Sequence, residues 1–510
     1  MSDNSLKVDQ FKATLWAAAD TLRGNMDPSE YKQVFLGLIF LKYISERFER
    51  KYEELKAGNL GYENNEVEYM SCGIYFIPPE ARWSVIMEHC DTPHIGHYID
   101  EAIHYIERYN PELKGILPKY YARAELDQNR LTNLMMLFDT QIDTKADSDL
   151  LSVAYEYCLS KFAEQEGRRA GEFYTPAGIV KSLVQSLDIK GGRLYDPCCG
   201  SGGMFIHAVK DITNHQGSKN DISCYGQESN PTTWKMCLMN LAIHGIEANV
   251  GKYNADSFLQ DLHPDLKADY ILASPPFNMS EWGAERLLGD IRWQYGIPPA
   301  GNANYAWLQH MIYHLAPNGR MGAVLSNGSL TSQSSGEDEI RKNIICADLV
   351  ECVISMPSHL FYNTAIPVCL WFINKAKKPC ERGNVLFIDA RALTDTSGRV
   401  KKELTAEQIA RISNKVRTYR DGEGYQDEDG FCAAASIEQI RENDFSLVPG
   451  RYIGISSSVV NVEACQATLN ELTQELKNVL HENHRLEWEL KEALEELGYE
   501  ETTSGDCLDP

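Results

Sequence analysis

From Gly171 the chain alternates short apolar runs with longer amphipathic stretches, and this rhythm narrows its fold more than any other feature. Such runs fit strands buried on both faces, which need helices above and below a mainly parallel sheet. The strand candidates are Arg193–Tyr195, Ser223–Gly226, Tyr270–Ala273, Met321–Leu325, Leu349–Ile354 and Ile366–Ile373. Helices are expected between them over Pro231–His244 and Tyr305–Leu315. The predicted class is therefore α/β.

The chain before Gly171 reads as helical. Phe11, Leu15, Ala18, Ala19 and Leu22 recur at helical spacing. Asp27-Pro28-Ser29-Glu30 opens a second helix, with Asp27 as N-cap, Pro28 in the first turn and Glu30 closing a capping box. Val34, Phe35, Leu38 and Ile39 give it a wide buried face. Helical segments continue to about Glu166, broken at Ile77-Pro78-Pro79 and Tyr109-Asn110-Pro111. Three regions are predicted: an all-helical N-terminal domain over 1–166, an α/β domain over 167–392, and a C-terminal region over 393–510. The last turns polar after about Arg391, and residues 421–430 read as an exposed loop or linker. Leu469, Leu472, Leu476, Val479, Leu486, Leu490 and Leu494 then fall at threes, fours and sevens, a short coiled-coil helix over about 462–498. Its seam has little to bury without a second helix, so it is expected to dock a partner.

A chain of 510 residues with 43% hydrophobic content can bury two or three cores. Its formal net charge of -24 argues against coating nucleic acid unaided, because phosphate neutralisation is the main sequence-independent source of DNA affinity. The 14 cysteines are scattered singly, apart from Cys198 and Cys199, and fit reduced thiols. None pairs at zinc spacing, so no metal is expected. The apolar run Val34–Leu41 is far shorter than the roughly 20 residues of a membrane span. No secretory signal opens the sequence, and no membrane association and a cytoplasmic location are expected.

The sharpest motif is Asp196-Pro197-Cys198-Cys199-Gly200-Ser201-Gly202-Gly203, directly after a strand and before a helix. Its GxGG spacing matches neither the GxGxxG of nicotinamide cofactors nor the GxxxxGK of a P-loop. Glycines there let backbone approach a ligand at the carboxyl end of a sheet, although such turns also serve tight packing alone. Glu228 ends the next strand, where a carboxylate would accept both hydroxyls of a ribose. Asp256 follows in Asn254-Ala255-Asp256-Ser257, suited either to an adenine amino group or to a helix cap. A buried strand then ends in Ser274-Pro275-Pro276-Phe277. Prolines remove two N–H donors, leaving the Ser274 hydroxyl and the Pro275 carbonyl to accept the two hydrogens of an exocyclic amine. Phe277 would stack on a flipped base, while a simple chain stop is the plainer reading.

In this order the motifs resemble those of DNA amino-methyltransferases, and most closely the modification subunit of type I restriction-modification complexes. That family carries a cofactor segment upstream of the glycine loop, and Gly171-Glu172-Phe173-Tyr174-Thr175-Pro176-Ala177 stands in its place. Asn302–His310 and Phe361–Val368 are also similar to it, so the resemblance spans roughly Gly171 to Ile373. It implies a Rossmann-like S-adenosylmethionine-dependent methyltransferase domain between the helical domain and the C-terminal helix. Glu172, Phe173, Tyr174, Thr175, Pro176, Ala177, Asp196, Gly200, Ser201, Gly202, Gly203, Glu228 and Asp256 would then hold S-adenosylmethionine, with Ser274, Pro275, Pro276 and Phe277 as the catalytic motif.

The family's tetrapeptide usually begins with Asn, and enzymes that methylate the N4 of cytosine often carry Ser. The type I likeness nonetheless implies transfer to the N6 of adenine in double-stranded DNA. It also implies a specificity subunit, a second copy of the modification subunit and a restriction subunit as partners. The alternatives are a stand-alone adenine or cytosine DNA methyltransferase, a protein glutamine methyltransferase, and an inactive cofactor-binding scaffold.

Overall fold

The computed structural model describes residues 3–22, 28–59, 61–141, 150–165, 174–361, 366–393 and 404–454, with short helical stretches at 472–474, 476–483 and 485–486. Residues through Gly454 form one compact unit and those from Ile455 a second.

Helices dominate the first 165 residues, as expected. The first covers Asp3–Leu22 and the second, Pro28–Ala57, is the spine of their core. Val34, Phe35, Leu38 and Ile39 are fully buried on it. Pro28 starts that helix, while Asp27, the expected N-cap, lies outside the described residues. Helix Ile95–Tyr109 stops at the predicted Asn110-Pro111 break, where proline cannot continue the hydrogen-bond ladder. This helical core extends to Met236, Met239 and Ile243 on helix Pro231–Ile243, seating it against the sheet domain.

The sheet has nine strands: β1 (Gly192–Asp196), β2 (Ile222–Gly226), β3 (Ala248–Asn249), β4 (Ala268–Ala273), β5 (Leu315–Ser326), β6 (Val350–Ser355), β7 (Val368–Asn374), β8 (Asn384–Asp389) and β9 (Cys432–Ser436). Their order is β3-β2-β1-β4-β5-β7-β6-β8-β9. From β3 to β5 the pairing is parallel, but β7 runs antiparallel to both neighbours and β9 to β8. The sheet expected to be mainly parallel is therefore mixed, parallel from β3 to β5 and between β6 and β8. The residues described between β6 and β7 form no helix, and strands joined without a crossover pair antiparallel.

Apolar layers cover both faces. Helices Ala177–Leu187, Gly203–Asn214 and Ala406–Asp421 build one, and helices Asn304–His314 and Glu337–Cys346 the other. Helix Ala406–Asp421 and β9 come from the stretch read as a polar C-terminal region, so residues 421–430 join two elements of this sheet domain rather than linking domains. The helix is tied down by Arg420, whose Nε and Nη2 each donate to the buried Glu351 carboxylate at 2.8 Å. Arg420 Nη1 also donates to the Ser186 carbonyl at 2.9 Å. Removing one partner of such a buried pair costs about 3–5 kcal/mol, because the other is left charged and alone.

What positions the site is the strand order. The chain leaves β1 for β2 and β3 on one side, then returns to β4 on the other. In open α/β sheets the crevice outside the carboxyl ends of such diverging strands is where ligands bind.

Candidate active site at the carboxyl ends of β1, β2 and β4

β1 ends at Asp196, and the glycine loop turns at once into helix Gly203–Asn214. Gly200 and Gly202 adopt left-handed φ of 54° and 82°, which other residues enter at a cost. A Cβ on Gly202 would stand 3.0 Å from Cys237 Sγ, whereas one on Gly203 would meet nothing within 4 Å. Glycine at 202 is thus demanded by backbone and packing, and Gly203 leaves the first helical turn bare toward the crevice.

Glu228, at the end of β2, holds this loop. Its Oε2 accepts the Gly200 N–H at 3.1 Å and its Oε1 the Asn230 N–H at 2.7 Å. Burial pushes its carboxyl up, against the pull of those N–H groups. Asp196 Oδ1 accepts the Cys198 N–H at 3.1 Å. Burial, with a smaller contribution from the Glu228 charge, raises Asp196 to about 7. Asp256 Oδ1 accepts the N–H groups of Phe258 and Leu259, at 2.8 and 3.1 Å, so it caps a turn, and no helix follows it. The same residue still lines the crevice.

Ser274 follows β4 directly, and its backbone N–H meets the Cys198 thiol, joining the Ser274–Phe277 loop to the glycine loop. Asn278 closes the loop with a φ of 52°. Its N–H donates to Asn304 Oδ1 at 3.1 Å, and its own Oδ1 accepts from Asn304 Nδ2 at 2.9 Å and Ser326 Oγ at 3.1 Å. Sequence reading missed this brace. Its signal was present in Asn302-Ala303-Asn304, read only as family-like. Phe277 packs edge-on against Phe361, ring centroids 5.6 Å apart.

Two cavities flank Cys198. One of about 230 Å³ is lined by Tyr174, Thr175, Ala177, Asp196, Gly200, Ser201, Gly203 and Ser274. The other, about 650 Å³, is lined by Glu228, Asp256, Pro276, Phe277 and Trp307. Cys198 borders both. Pro176 faces a separate groove, Gly202 and Pro275 line neither cavity, and Glu172 and Phe173 lie outside the described residues. Asn240 is a member the sequence reading did not name. Its Nδ2 donates to the Ser201 carbonyl at 2.8 Å, and its buried Oδ1 has no partner among the described residues. Among those residues no three His, Cys, Asp or Glu gather to hold a metal ion, and no helix is long and apolar enough to cross a membrane.

The arrangement matches known families. Residues 146–459 match the family model described as N-6 DNA Methylase, and residues 11–138 that of the HsdM N-terminal domain. The chain is 44% identical over 446 residues to the type I restriction enzyme HindI methylase subunit of Haemophilus influenzae, covering 83% of this chain and 100% of that one. It is 39% identical over 520 residues to the MjaIX methylase subunit of Methanocaldococcus jannaschii, covering 96% and 92%. Among solved structures, a type I restriction-modification system methyltransferase subunit from Streptococcus thermophilus superposes with a TM-score of 0.76 at 26% identity, over 88% of this chain and 99% of that one. Taken with the glycine loop after β1 and the Ser-Pro-Pro-Phe loop after β4, these likenesses show that the chain belongs to the N-6 DNA methylase family, as a methylase subunit of the type I restriction-modification class.

Proposed function

We propose that this subunit transfers a methyl group from S-adenosylmethionine to the N6 of adenine in double-stranded DNA, as an adenine-specific site-specific methyltransferase. The observation that carries the reading is the meeting, at one switch point, of the acidic glycine-loop crevice after β1 and β2 with the Ser274–Phe277 loop after β4. The residues present fit the cofactor. The crevice offers acceptors, namely Asp196, Glu228, Asp256 and the unpartnered Asn240 Oδ1, suited to a cation rich in N–H and O–H groups. The segment 172–177, Asp196, the 200–203 loop, Glu228 and Asp256 would hold it. When bound, S-adenosylmethionine supplies an electrophilic methyl on a sulfonium.

The chain's own part is positioning. An exocyclic amine is a poor nucleophile while its lone pair is delocalised into the ring. Ser274 Oγ and the Pro275 carbonyl accept its two hydrogens and localise that pair, while Pro276 stiffens the loop and Phe277 stacks on the base drawn out of the helix. No strong general base is needed.

Nucleoside analysis of DNA modified by the assembled complex tests the reading. N6-methyladenine is expected. N4-methylcytosine would assign Ser274 to a cytosine enzyme.

Asp196 makes cofactor affinity pH-dependent. With its pKa raised to about 7, the carboxyl is largely protonated at pH 6 and ionised at pH 8. A cationic ligand stabilises the ionised form, so binding below pH 7 releases a proton and affinity climbs with pH, by up to about tenfold per unit. Calorimetry at pH 6, 7 and 8 should show this climb, and Asp196→Asn should flatten it. An equal slope in both proteins would detach Asp196 from the ligand.

A specificity subunit would choose the DNA site, with a second copy of this subunit and a restriction subunit completing the assembly. The acidic balance of the chain supports borrowed DNA affinity. Leu472, Leu476, Val479 and Leu486 are all at least half exposed on short helical stretches, which supports a docking role for the heptads. Leu469, Leu490 and Leu494 lie outside the described residues. Deleting the residues after about Val462 should weaken co-purification with the specificity subunit and leave S-adenosylmethionine affinity within about twofold of wild type. Undiminished assembly would remove the docking role.

A further inference from the structure

Among the described residues the buried indole N–H groups have acceptors, with one exception. Trp83 donates to Asp139, Trp234 to the Val250 carbonyl, Trp282 to Pro299, Trp293 to Leu287 and Trp371 to Ser329 Oγ, all between 2.7 and 3.1 Å. Trp307 is 5% exposed, yet its Nε1 is buried with no partner among the described residues. A buried donor left unpaired costs stability, and such groups are rare enough in folded proteins to need a reason.

Its position supplies one. Trp307 lies in the first turn of helix Asn304–His314, just beyond the asparagines that brace the catalytic loop. Its ring packs on Phe258 with centroids 4.2 Å apart, and Phe258 is two residues past Asp256. It lines the 650 Å³ cavity together with Glu228, Asp256, Pro276 and Phe277. An indole offers a donor and no acceptor, whereas a carboxylate such as Asp256 offers acceptors only. Asp256 Oδ1 is already engaged by two backbone N–H groups, which directs its ligand role to Oδ2. A carboxylate and an indole N–H in one cavity complement an edge that presents an amino donor beside a ring-nitrogen acceptor. Adenine has that edge, with its N6 amino group flanked by N1 and N7.

We propose that Trp307 is a ligand-contacting residue whose indole N–H donates to a ring nitrogen of an adenine held in the Glu228–Asp256–Phe277 cavity. The inference rests on the methyltransferase reading, under which two adenines reach this place: that of the cofactor and that of the target base. Both present the same acceptor chemistry.

Trp307→Phe keeps the ring and deletes the N–H, and it is measured in the full-length chain and in the complex with its specificity subunit. The melting temperature without ligand should hold within about 2 °C, because no hydrogen bond within the protein is lost. If the cofactor's adenine is the acceptor, the Kd for S-adenosylmethionine should rise about tenfold. If the target base is the acceptor, that Kd should hold and kcat/KM for DNA should fall by a similar factor. Unchanged values for both ligands overturn the proposal, as does a drop in ligand-free melting temperature without any binding change. A wild-type complex that neither binds S-adenosylmethionine nor methylates DNA refutes the methyltransferase reading itself. A wild type and a Trp307→Phe variant that work equally well refute the role of Trp307 alone.

Discussion

Phe277→Ala is expected to lower methyl transfer to DNA by roughly 10- to 100-fold while S-adenosylmethionine affinity stays within about twofold, as read by steady-state methylation and calorimetry. Phe277 lines the larger cavity beside Pro276, and its edge contact with Phe361 holds the ring in place. A base brought out of the duplex loses its stacking on both faces and needs a surface that replaces it. Stacking on an aromatic side chain contributes about 1–3 kcal/mol per base by alanine substitution, which sets the expected range. The cofactor contacts assigned to Asp196, Glu228 and the glycine loop do not pass through Phe277, so the two readouts should separate. Equal losses in affinity and in rate would mean that Phe277 shapes the cofactor crevice instead.

Glu228→Ala should produce the opposite pattern, a loss of S-adenosylmethionine affinity of about 100-fold carried through to activity at low cofactor concentration. Hydrogen bonds to a charged group contribute about 1.5–3 kcal/mol, and Glu228 has a second duty. It accepts the Gly200 N–H, so its removal leaves that buried donor unpaired and loosens the loop. Glu228→Gln should fall between, because its amide oxygen can serve one of the two N–H groups that the carboxylate serves together. Saturating cofactor should restore much of the rate in both variants, a recovery not expected for Phe277→Ala. Calorimetry that finds wild-type affinity in Glu228→Ala would remove the residue from the cofactor site.

Much of the sheet was legible because its strands are largely buried, β6 and β7 at every position, and so read as apolar runs. β1, β2, β4, β6 and β7 fall within two residues of expectation at either end, while β5 begins six residues before its predicted start at Met321. The helix expected over Tyr305–Leu315 is likewise found at Asn304–His314. β3 has two residues, too few for any pattern, and β9 reads Cys-Ala-Ala-Ala-Ser, small residues of weak strand preference at a sheet edge. Helix Ala406–Asp421 was hidden by average polarity, although Thr405 and Gln408 form a capping box and Ile409, Ile412, Val416 and Tyr419 lie buried along one face. Periodicity outweighs mean hydropathy there, because a helix at the sheet face needs only one apolar stripe.

The candidate site was legible at its motifs and not in its supports. Asp196, Glu228 and Ser274–Phe277 announce themselves by residue type at or just after strand ends, and Asp256 by its place in Asn254-Ala255-Asp256-Ser257, seven residues beyond β3. Asn240, Asn278, Asn304 and Trp307 act through hydrogen bonds, packing or burial across separations of about 25 to 50 residues, and nothing in local sequence reports such pairings.

Under the proposed function, the cavities on either side of Cys198 are two halves of one methyl-transfer site. A structure of the protein with S-adenosylhomocysteine tests it most directly. One molecule is expected to cross Cys198, its ribose within hydrogen-bond distance of Glu228 and its amino-acid arm in the cavity of Asp196 and Asn240. A ligand confined to the groove beside Pro176, or bound away from the ends of β1, β2 and β4, would contradict it.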